Sequence, residues 1–181
     1  MKKCRVCKKE FEPTFNSTQV VCSVTCSIEA AKQKKKKEYS QETRRMKKAL
    51  QDNDRSYQLK KAQEIFNKYI RERDSGHPCV SCDKPDNGKH QRHASHLRSV
   101  GACGALRFNT FNVHTSCAQC NNIKSGNIAE YIPRLRERIG FDKVEWLLNF
   151  NETRRYDIAY LKRLRVIFKR KIEILKRNKD D

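Results

Sequence analysis

The spacing of the cysteines constrains the fold of this chain more than any other feature. Nine cysteines occur in 181 residues, and eight of them form four close pairs. The pairs make two sets: Cys4, Cys7, Cys22 and Cys26, then Cys79, Cys82, Cys117 and Cys120. In a reducing compartment, paired cysteines favour a bound metal over disulfides. Each set can complete a tetrahedral zinc shell with no open position. The sequence therefore predicts two structural zinc ions and leaves Cys103 as an ordinary loop or core thiol.

The net charge indicates the class of partner. Lysine and arginine together number 41 against 21 aspartates and glutamates, which gives a formal net charge of +20. A polyanion is the expected partner, and nucleic acid fits better than a membrane. No stretch approaches the roughly 18 consecutive apolar residues of a membrane span, and the N-terminus lacks the apolar run of a signal peptide. We therefore expect a cytoplasmic protein that binds nucleic acid.

Composition and turn residues divide the chain into four segments. We expect a four-cysteine zinc module at 1–27, a basic helical linker at 28–75, a second cysteine module at 76–130 and a helical region at 131–181. Gly76 and Pro78 disfavour continuation of the linker helix. In the last region, Pro133 could begin a helix that Gly140 ends. The predicted fold class is α+β and mainly helical.

Basic residues are concentrated in the first half of the linker. Residues 31–50 contain nine lysines and arginines against two glutamates. Such a run is usually a solvated helix face, but beside zinc modules it favours contacts with phosphates. The residues expected to contact DNA here are Lys34, Lys35, Lys36, Lys37, Arg44, Arg45, Lys47 and Lys48. The second half of the linker and the last helix carry apolar residues at steps of three and four, which predicts packing in a core or at the seam of a homodimer.

The second cysteine module contains a short histidine-rich segment. His93 and His96 lie in the stretch HASH, between the two cysteine pairs. They could replace two cysteines as zinc ligands, but a complete four-cysteine set is already present. We therefore expect both histidines to be free of zinc. The surrounding pattern predicts a strand, a loop, a second strand and then a turn into a helix.

The order of polar residues in this module resembles that of a class of nucleases. His96, Asn112 and Asn121 follow the order of the HNH, or ββα-metal, endonucleases. The variant with four cysteines and an asparagine after the last one is especially similar to phage endonuclease VII. The fuller pattern is HASHLRSVGA, then LRFN, then NVHTSCAQCNNIKSGN, with an N-terminal cysteine module and a basic linker. It resembles the phage NinG family, whose lambda member is the recombination endonuclease Rap.

The resemblance implies a fold and an activity. It implies a zinc-stabilised ββα-metal nuclease core followed by C-terminal helices. It also implies an endodeoxyribonuclease of phage recombination that cleaves branched DNA, such as Holliday junctions and D-loops, in the cytoplasm of the bacterial host.

The resemblance and the chemistry of phosphodiester hydrolysis assign roles to individual residues. His96 is the candidate general base, Asn112 fixes the hairpin and orients His96, and Asn121 offers an oxygen ligand to Mg²⁺ or Mn²⁺. The residue before the base is commonly Asp or His in the nuclease family, but here it is Ser95. Ser95, a backbone group or His93 would therefore complete the metal site. The further DNA contacts expected in this module are Arg92, Arg98 and Lys124.

The alternative is a non-catalytic, zinc-stabilised nucleic-acid-binding protein or regulator. It explains the charge and the cysteines equally well. However, it leaves the joint placement of His96, Asn112 and Asn121 as a coincidence.

Overall fold

The chain folds into two compact units that meet in sequence between Asn53 and Asp54. The structure, a computed structural model, describes residues 1–88 and 90–180. Helices dominate both units, and each unit also contains one small two-stranded antiparallel sheet. The mainly helical α+β class predicted from the sequence is thereby confirmed.

Unit 1 consists of a small hairpin followed by one long helix. Strands β1 (Lys2–Lys3) and β2 (Glu10–Phe11) pair antiparallel, and helix α1 follows at Val24–Asn53. Lysine, glutamate, glutamine and alanine, all strong helix formers, make up much of α1. None of the residues of α1, all of which the structure describes, is buried. The helix is therefore solvated along its length, as its charge pattern predicts.

Asp54 separates α1 from the next helix, α2 (Arg55–Arg73). It has an extended backbone, and its carboxylate accepts hydrogen bonds from the backbone N–H groups of Ser56 (2.8 Å) and Tyr57 (3.3 Å). This is the geometry of a helix N-cap. The segment assigned to one linker at 28–75 thus contains two helices, and only the second belongs to unit 2.

Helix α2 packs along the last helix, α5 (Ile158–Asp180), through their apolar stripes. The Phe66 ring makes edge contacts with Phe108 and Phe168, with ring centroids 5.6 and 5.0 Å apart. The buried cluster comprises Ala62, Phe66, Ile70, Phe108, Val113, Tyr156, Leu161, Leu164 and Phe168. The apolar spacing of both helices therefore serves the core of unit 2.

The second hairpin lies between these helices in sequence. Strands β3 (Arg92–His96) and β4 (Val113–Cys117) pair antiparallel, with Ser95 opposite His114 and His96 opposite Val113. Every residue of β4 is buried. A long connection that contains a 3₁₀ turn at Gly104–Leu106 joins the strands, and a π-helical turn at Gln119–Ile123 follows them. The predicted order of strand, loop, strand and turn is confirmed.

Helices α3 (Ile128–Ile139) and α4 (Phe141–Asn149) cover the other side of the hairpin connection. Helix α3 begins before Pro133, which lies inside it, so the expectation that Pro133 starts this helix was wrong. Gly140 ends α3 with a φ of 94°, a conformation that favours glycine. Tyr131, Leu135, Val144 and Leu147 of these helices are completely buried with Val80 and Leu106.

Candidate metal centres and active site

The first cysteine set is gathered around a tight turn in unit 1. The sulfur atoms of Cys4, Cys7, Cys22 and Cys26 all lie within 4.8 Å of one another. The Cys4 N–H donates to the Lys9 carbonyl (2.9 Å), and the Lys8 N–H donates back to the Cys4 carbonyl (3.0 Å). Lys8 has a φ of 63°, which lets the chain reverse directly after Cys7. In the second pair, Cys22 lies two residues before α1 and Cys26 lies in its first turn.

The ionisation of these thiols favours a bound cation. Burial opposes ionisation of Cys4, but backbone hydrogen bonds from Cys7 and Cys22 lower its pKa to about 6. Hydrogen bonds with the Cys7 and Cys4 side chains raise the pKa of Cys22 to about 12. Four neighbouring sulfurs cannot all be deprotonated unless a cation compensates their charge. Since zinc binds four thiolates tetrahedrally, this donor set fits zinc.

The second set occupies unit 2 and repeats the same turn. Its sulfurs, from Cys79, Cys82, Cys117 and Cys120, also lie within 4.8 Å of one another. The Cys79 N–H donates to the Lys84 carbonyl (2.9 Å), and the N–H of Asp83, whose φ is 54°, donates to the Cys79 carbonyl (3.0 Å).

The other half of the second set comes from the hairpin. Cys117 ends β4, and Cys120 lies in the π-helical turn. The Cys117 N–H points at the Cys79 sulfur, at 3.3 Å. Burial opposes ionisation of Cys117, but hydrogen bonds from Cys120 and Cys82 lower its pKa to about 7. Both cysteine sets could therefore bind a metal ion such as zinc.

A solvent-accessible pocket opens beside the second cysteine set. Five parts of unit 2 form it: helix α2, strand β3, the connection after β3, the π-helical turn and the loop that follows this turn. Its lining residues are Gln63, Asn67, Ala94, Ser95, His96, Ser99, Val100, Arg107, Asn121, Ser125 and Gly126. The pocket thus brings together His96, Ser95 and Asn121, which the sequence placed in one site.

His96 lies at the end of β3 with a half-buried imidazole. Its Nε2 atom is 3.0 Å from the backbone carbonyl oxygen of Arg107. A carbonyl can only accept, so Nε2 carries a proton and the neutral ring presents Nδ1 as an acceptor. Burial lowers the pKa of His96 below its usual value, and the hydrogen bond to Arg107 partly opposes this shift. The ring is therefore neutral at physiological pH.

Ser95 and Asn121 are the oxygen donors predicted for a metal ion. Ser95 is buried, and its carbonyl accepts a hydrogen bond from the Tyr131 hydroxyl (3.0 Å). The Asn121 amide nitrogen donates to the Asn122 side-chain oxygen (2.9 Å), which leaves the Asn121 carbonyl oxygen as a donor of lone pairs. Gly126 has a φ of 90°, which favours glycine. Because it has no side chain, nothing at this position comes between its loop and Ser95.

Arg107 is a pocket residue that the sequence did not indicate. It lies directly after the 3₁₀ turn, and its guanidinium donates to the Gln63 side-chain oxygen at 3.2 Å. Among the described residues that line the pocket, Arg107 is the one with a permanent charge, and none carries a carboxylate. Arg107 lies in the LRFN segment of the family pattern, but the sequence predicted no role for it, and Gln63 lies on α2, distant in sequence. The pocket therefore favours an anion.

Comparison with known proteins places the whole chain in one family. The family model NinG, described as "Bacteriophage Lambda NinG protein", matches residues 1–179. This chain belongs to the NinG family. Protein ninG of Escherichia phage lambda is 31% identical, over 97% of this chain and 92% of that protein. Protein ninG of Enterobacteria phage H19B is 32% identical, over 99% of this chain and 96% of that protein. No solved structure matches the chain.

Asn112 of this NinG-family chain is completely buried and fixes the connection between the strands. Its side-chain oxygen accepts the Arg98 N–H (2.9 Å), and its amide nitrogen donates to the carbonyls of Arg98 (3.0 Å) and Leu106 (3.2 Å). These bonds hold together the two ends of the loop that carries Arg107. Asn112 does not line the pocket, and its hydrogen bonds fix the loop whose Arg107 carbonyl contacts His96.

Two other histidines lie outside the pocket lining. His93 lies on β3 opposite Ser116 and is not among the residues that line the pocket. His114 is buried on β4, where its Nδ1 atom is 3.1 Å from the Arg73 guanidinium and its Nε2 atom is 3.2 Å from the Phe111 carbonyl. His114 therefore packs in the interior.

The basic residues predicted to contact DNA fall into two groups in this NinG-family chain. Those of α1 are exposed, and so is Lys124. By contrast, one Arg98 nitrogen donates to the carbonyls of Leu147 (3.2 Å), Leu148 (2.6 Å) and Phe150 (3.0 Å) at the end of α4. Arg92 donates to the carbonyls of His77 and Lys84, beside the second cysteine set. These two guanidinium groups have partners within the fold, and their contacts with DNA stay a prediction.

Within residues 1–88 and 90–180, no helix is long and apolar enough to cross a membrane. The long helices of this chain are instead basic or amphipathic.

Proposed function

We propose that this NinG-family chain is an endonuclease of phage recombination that hydrolyses phosphodiester bonds in branched DNA. The observation that carries the proposal is the pocket in which His96, Asn121 and Arg107 meet beside the second cysteine set. A general base, an oxygen ligand and a cation are the groups that phosphodiester hydrolysis requires. The resemblance of these positions to HNH nucleases supports the same reaction.

His96 is the proposed general base. Its Nε2 proton is directed at the Arg107 carbonyl, which leaves Nδ1 to accept a proton from a water molecule. The water oxygen then attacks phosphorus, and the bond from phosphorus to the leaving oxygen breaks. The leaving oxygen takes a proton from solvent. The four neighbouring cysteines could complete a zinc shell by themselves, so the imidazole is not needed as a zinc ligand.

Arg107 is the proposed phosphate clamp. Its guanidinium lies in the same pocket, and a fixed cation there stabilises negative charge on the phosphate oxygens. Asn121 and Ser95 would hold Mg²⁺ or Mn²⁺, which when bound neutralises charge on the phosphate. Because both offer neutral oxygens, the DNA phosphate supplies the anionic ligand. Metal affinity is accordingly expected to be higher with DNA than without it.

Branched DNA is the proposed substrate, and the resemblance to the recombination endonuclease of lambda suggests it. The net charge of +20 and the exposed lysines and arginines of α1 supply attraction to DNA of any form. The preference for Holliday junctions or D-loops is the part of the proposal that depends on the family.

A second candidate function is a non-catalytic DNA-binding protein. The observation that favours it is that none of the described residues lining the pocket is Asp or Glu, the usual protein ligands of Mg²⁺. In that case the pocket would bind a phosphate group without cleaving it.

Cleavage of defined DNA substrates tests the two candidates. The purified protein is incubated with a labelled four-way junction or with a linear duplex of the same sequence, with and without added Mg²⁺. We expect Mg²⁺-dependent cuts in the junction and slower or no cutting of the duplex. His90→Ala is a matched control, because His90 is exposed and does not line the pocket. Tight binding without cleavage under all metal conditions would support the non-catalytic candidate.

A further inference from the structure

A second pocket lies entirely within unit 1, between the first cysteine module and the beginning of α1. Its lining residues are Arg5, Val6, Val20, Ala30, Ala31, Gln33, Lys34 and Lys37. The Arg5 N–H donates to the Val20 carbonyl at 2.8 Å, which fastens the segment before Cys22 to the cysteine turn. The pocket is therefore built by the fold of the zinc module and not by a flexible surface.

The chemistry of this pocket is divided between an apolar surface and cations. Val6, Val20 and two alanines provide the apolar surface, and Val20 remains 54% exposed. Arg5, Lys34 and Lys37 supply positive charge, and none of the described lining residues is acidic. Lys34 also lies 3.9 Å from Glu38, an exposed pair that is worth little. A ligand that fits must therefore combine an apolar surface with anionic groups.

We infer that this pocket binds an unpaired nucleotide of DNA. The base lies on the apolar surface, and the flanking phosphates contact Arg5, Lys34 and Lys37. A base in a duplex is stacked and paired, so a pocket of this kind selects a single-stranded segment. The inference rests on the proposed function only in taking the polyanion to be DNA. It does not depend on cleavage.

The arrangement of lysines on α1 provides a matched control. Lys34 and Lys37 line the pocket, whereas Lys35 and Lys36, between them in sequence, do not. The two pairs carry equal charge on the same exposed helix. If α1 attracts DNA by charge alone, replacing either pair of lysines by alanine should weaken binding equally. If the pocket binds a nucleotide, replacing Lys34 and Lys37 should weaken binding more.

Binding to two oligonucleotides of equal charge tests the inference. The full-length protein, without added Mg²⁺, is titrated into a fluorescent single-stranded oligothymidylate or an abasic oligonucleotide of the same length, and anisotropy is measured. We expect several-fold tighter binding to the oligothymidylate. The double variant Lys34→Ala with Lys37→Ala should lose more affinity than Lys35→Ala with Lys36→Ala. Ala31→Gln fills the pocket without changing charge or helix propensity greatly, and it should abolish the preference for bases.

Equal affinity of the wild-type protein for both oligonucleotides would overturn the inference, as would an unchanged preference in Ala31→Gln. Loss of cleavage in other experiments would leave this result unaffected, because the titration measures binding alone. A failure of the nucleotide pocket and a failure of the proposed nuclease are thus distinguishable.

Discussion

The two cysteine sets begin with the same turn and end in different structures. In each set, the N–H of the first cysteine donates to a backbone carbonyl at 2.9 Å, and the carbonyl of the same cysteine accepts a backbone N–H at 3.0 Å. In each, the residue after the second cysteine, Lys8 or Asp83, has a left-handed backbone. The same turn therefore occurs twice in the chain, and in each set it brings the first two thiols together where a metal could bind.

The second cysteine pair of each set lies in different surroundings. Cys22 and Cys26 lie at the start of a helix without buried residues, whereas Cys117 and Cys120 are buried at the end of β4 and in the turn after it. The first set thus fastens a hairpin to a solvated helix. The second connects the loop after α2 to the strand pair that carries His96. A similar turn thus lies beside an exposed basic helix in unit 1 and beside the buried hairpin in unit 2.

Of the substitutions considered, replacing one cysteine in each set, in separate variants, should produce the largest difference in the stability of unit 2. Cys79→Ser should release one zinc and unfold the hairpin of unit 2, with a loss on the order of 5 kcal/mol or more, because binding of structural zinc contributes directly to folding. Cys4→Ser should also release one zinc but leave the unfolding transition of unit 2 in place. Elemental analysis and thermal denaturation followed by circular dichroism measure both effects. Equal damage to unit 2 by the two variants would contradict the division of roles.

Asn112→Ala should destabilise unit 2 without affecting either zinc. The substitution leaves the buried groups that bond to its side chain without partners, which costs roughly 2 to 3 kcal/mol. The free energy of unfolding is measured in urea, with Asn178→Ala as the control at an exposed position of α5. A similar stability of both variants would show that Asn112 does not fix the loop.

Substitution of basic residues should affect the salt dependence of DNA affinity in unit 1 and the stability of the fold in unit 2. Replacing Arg44, Arg45, Lys47 and Lys48 of α1 by alanine should flatten the dependence of DNA affinity on salt, because fewer counterions are released. Arg98→Ala should leave that slope unchanged and instead lower stability by roughly 2 kcal/mol, since it removes charged hydrogen bonds to the end of α4. Affinity measured at several salt concentrations, together with denaturation, separates the two results. A flatter slope for Arg98→Ala would show that Arg98 contacts DNA.

The pH dependence of cleavage should report His96. Because burial lowers its pKa, the imidazole stays neutral as the pH falls, and cleavage should decline only below the ordinary histidine value of 6.5. Rates are measured on the junction across this range, and zinc content is checked at each pH because protons also compete for the cysteines. A decline that begins well above pH 6.5 would assign the titration to another group.

Patterns that are local in sequence predicted much of this structure. The two cysteine sets, the positions of β3 and β4, and the apolar stripes of α2 and α5 follow from residue spacing. Each of these signals depends on neighbouring residues or on a repeated interval, so one sequence is enough to detect it.

The features that the sequence did not predict depend on distant contacts. Arg98 resembles any surface arginine until α4 brings three carbonyls to it. Arg107 enters the pocket because Asn112 fixes the loop and α2 supplies Gln63. The break at Asp54 is a single cap within a strongly helical segment, which composition alone does not reveal.

In the proposed function, the second cysteine set holds the pocket in place while His96 acts as the general base in it. The most direct measurement determines zinc content, junction affinity and Mg²⁺-dependent cleavage on one preparation of His96→Ala. We predict two zinc ions per chain, unchanged affinity, and a cleavage rate lower by about 10²- to 10⁴-fold, as expected for loss of a general base. Full cleavage by this variant, or the loss of one zinc, would contradict the claim.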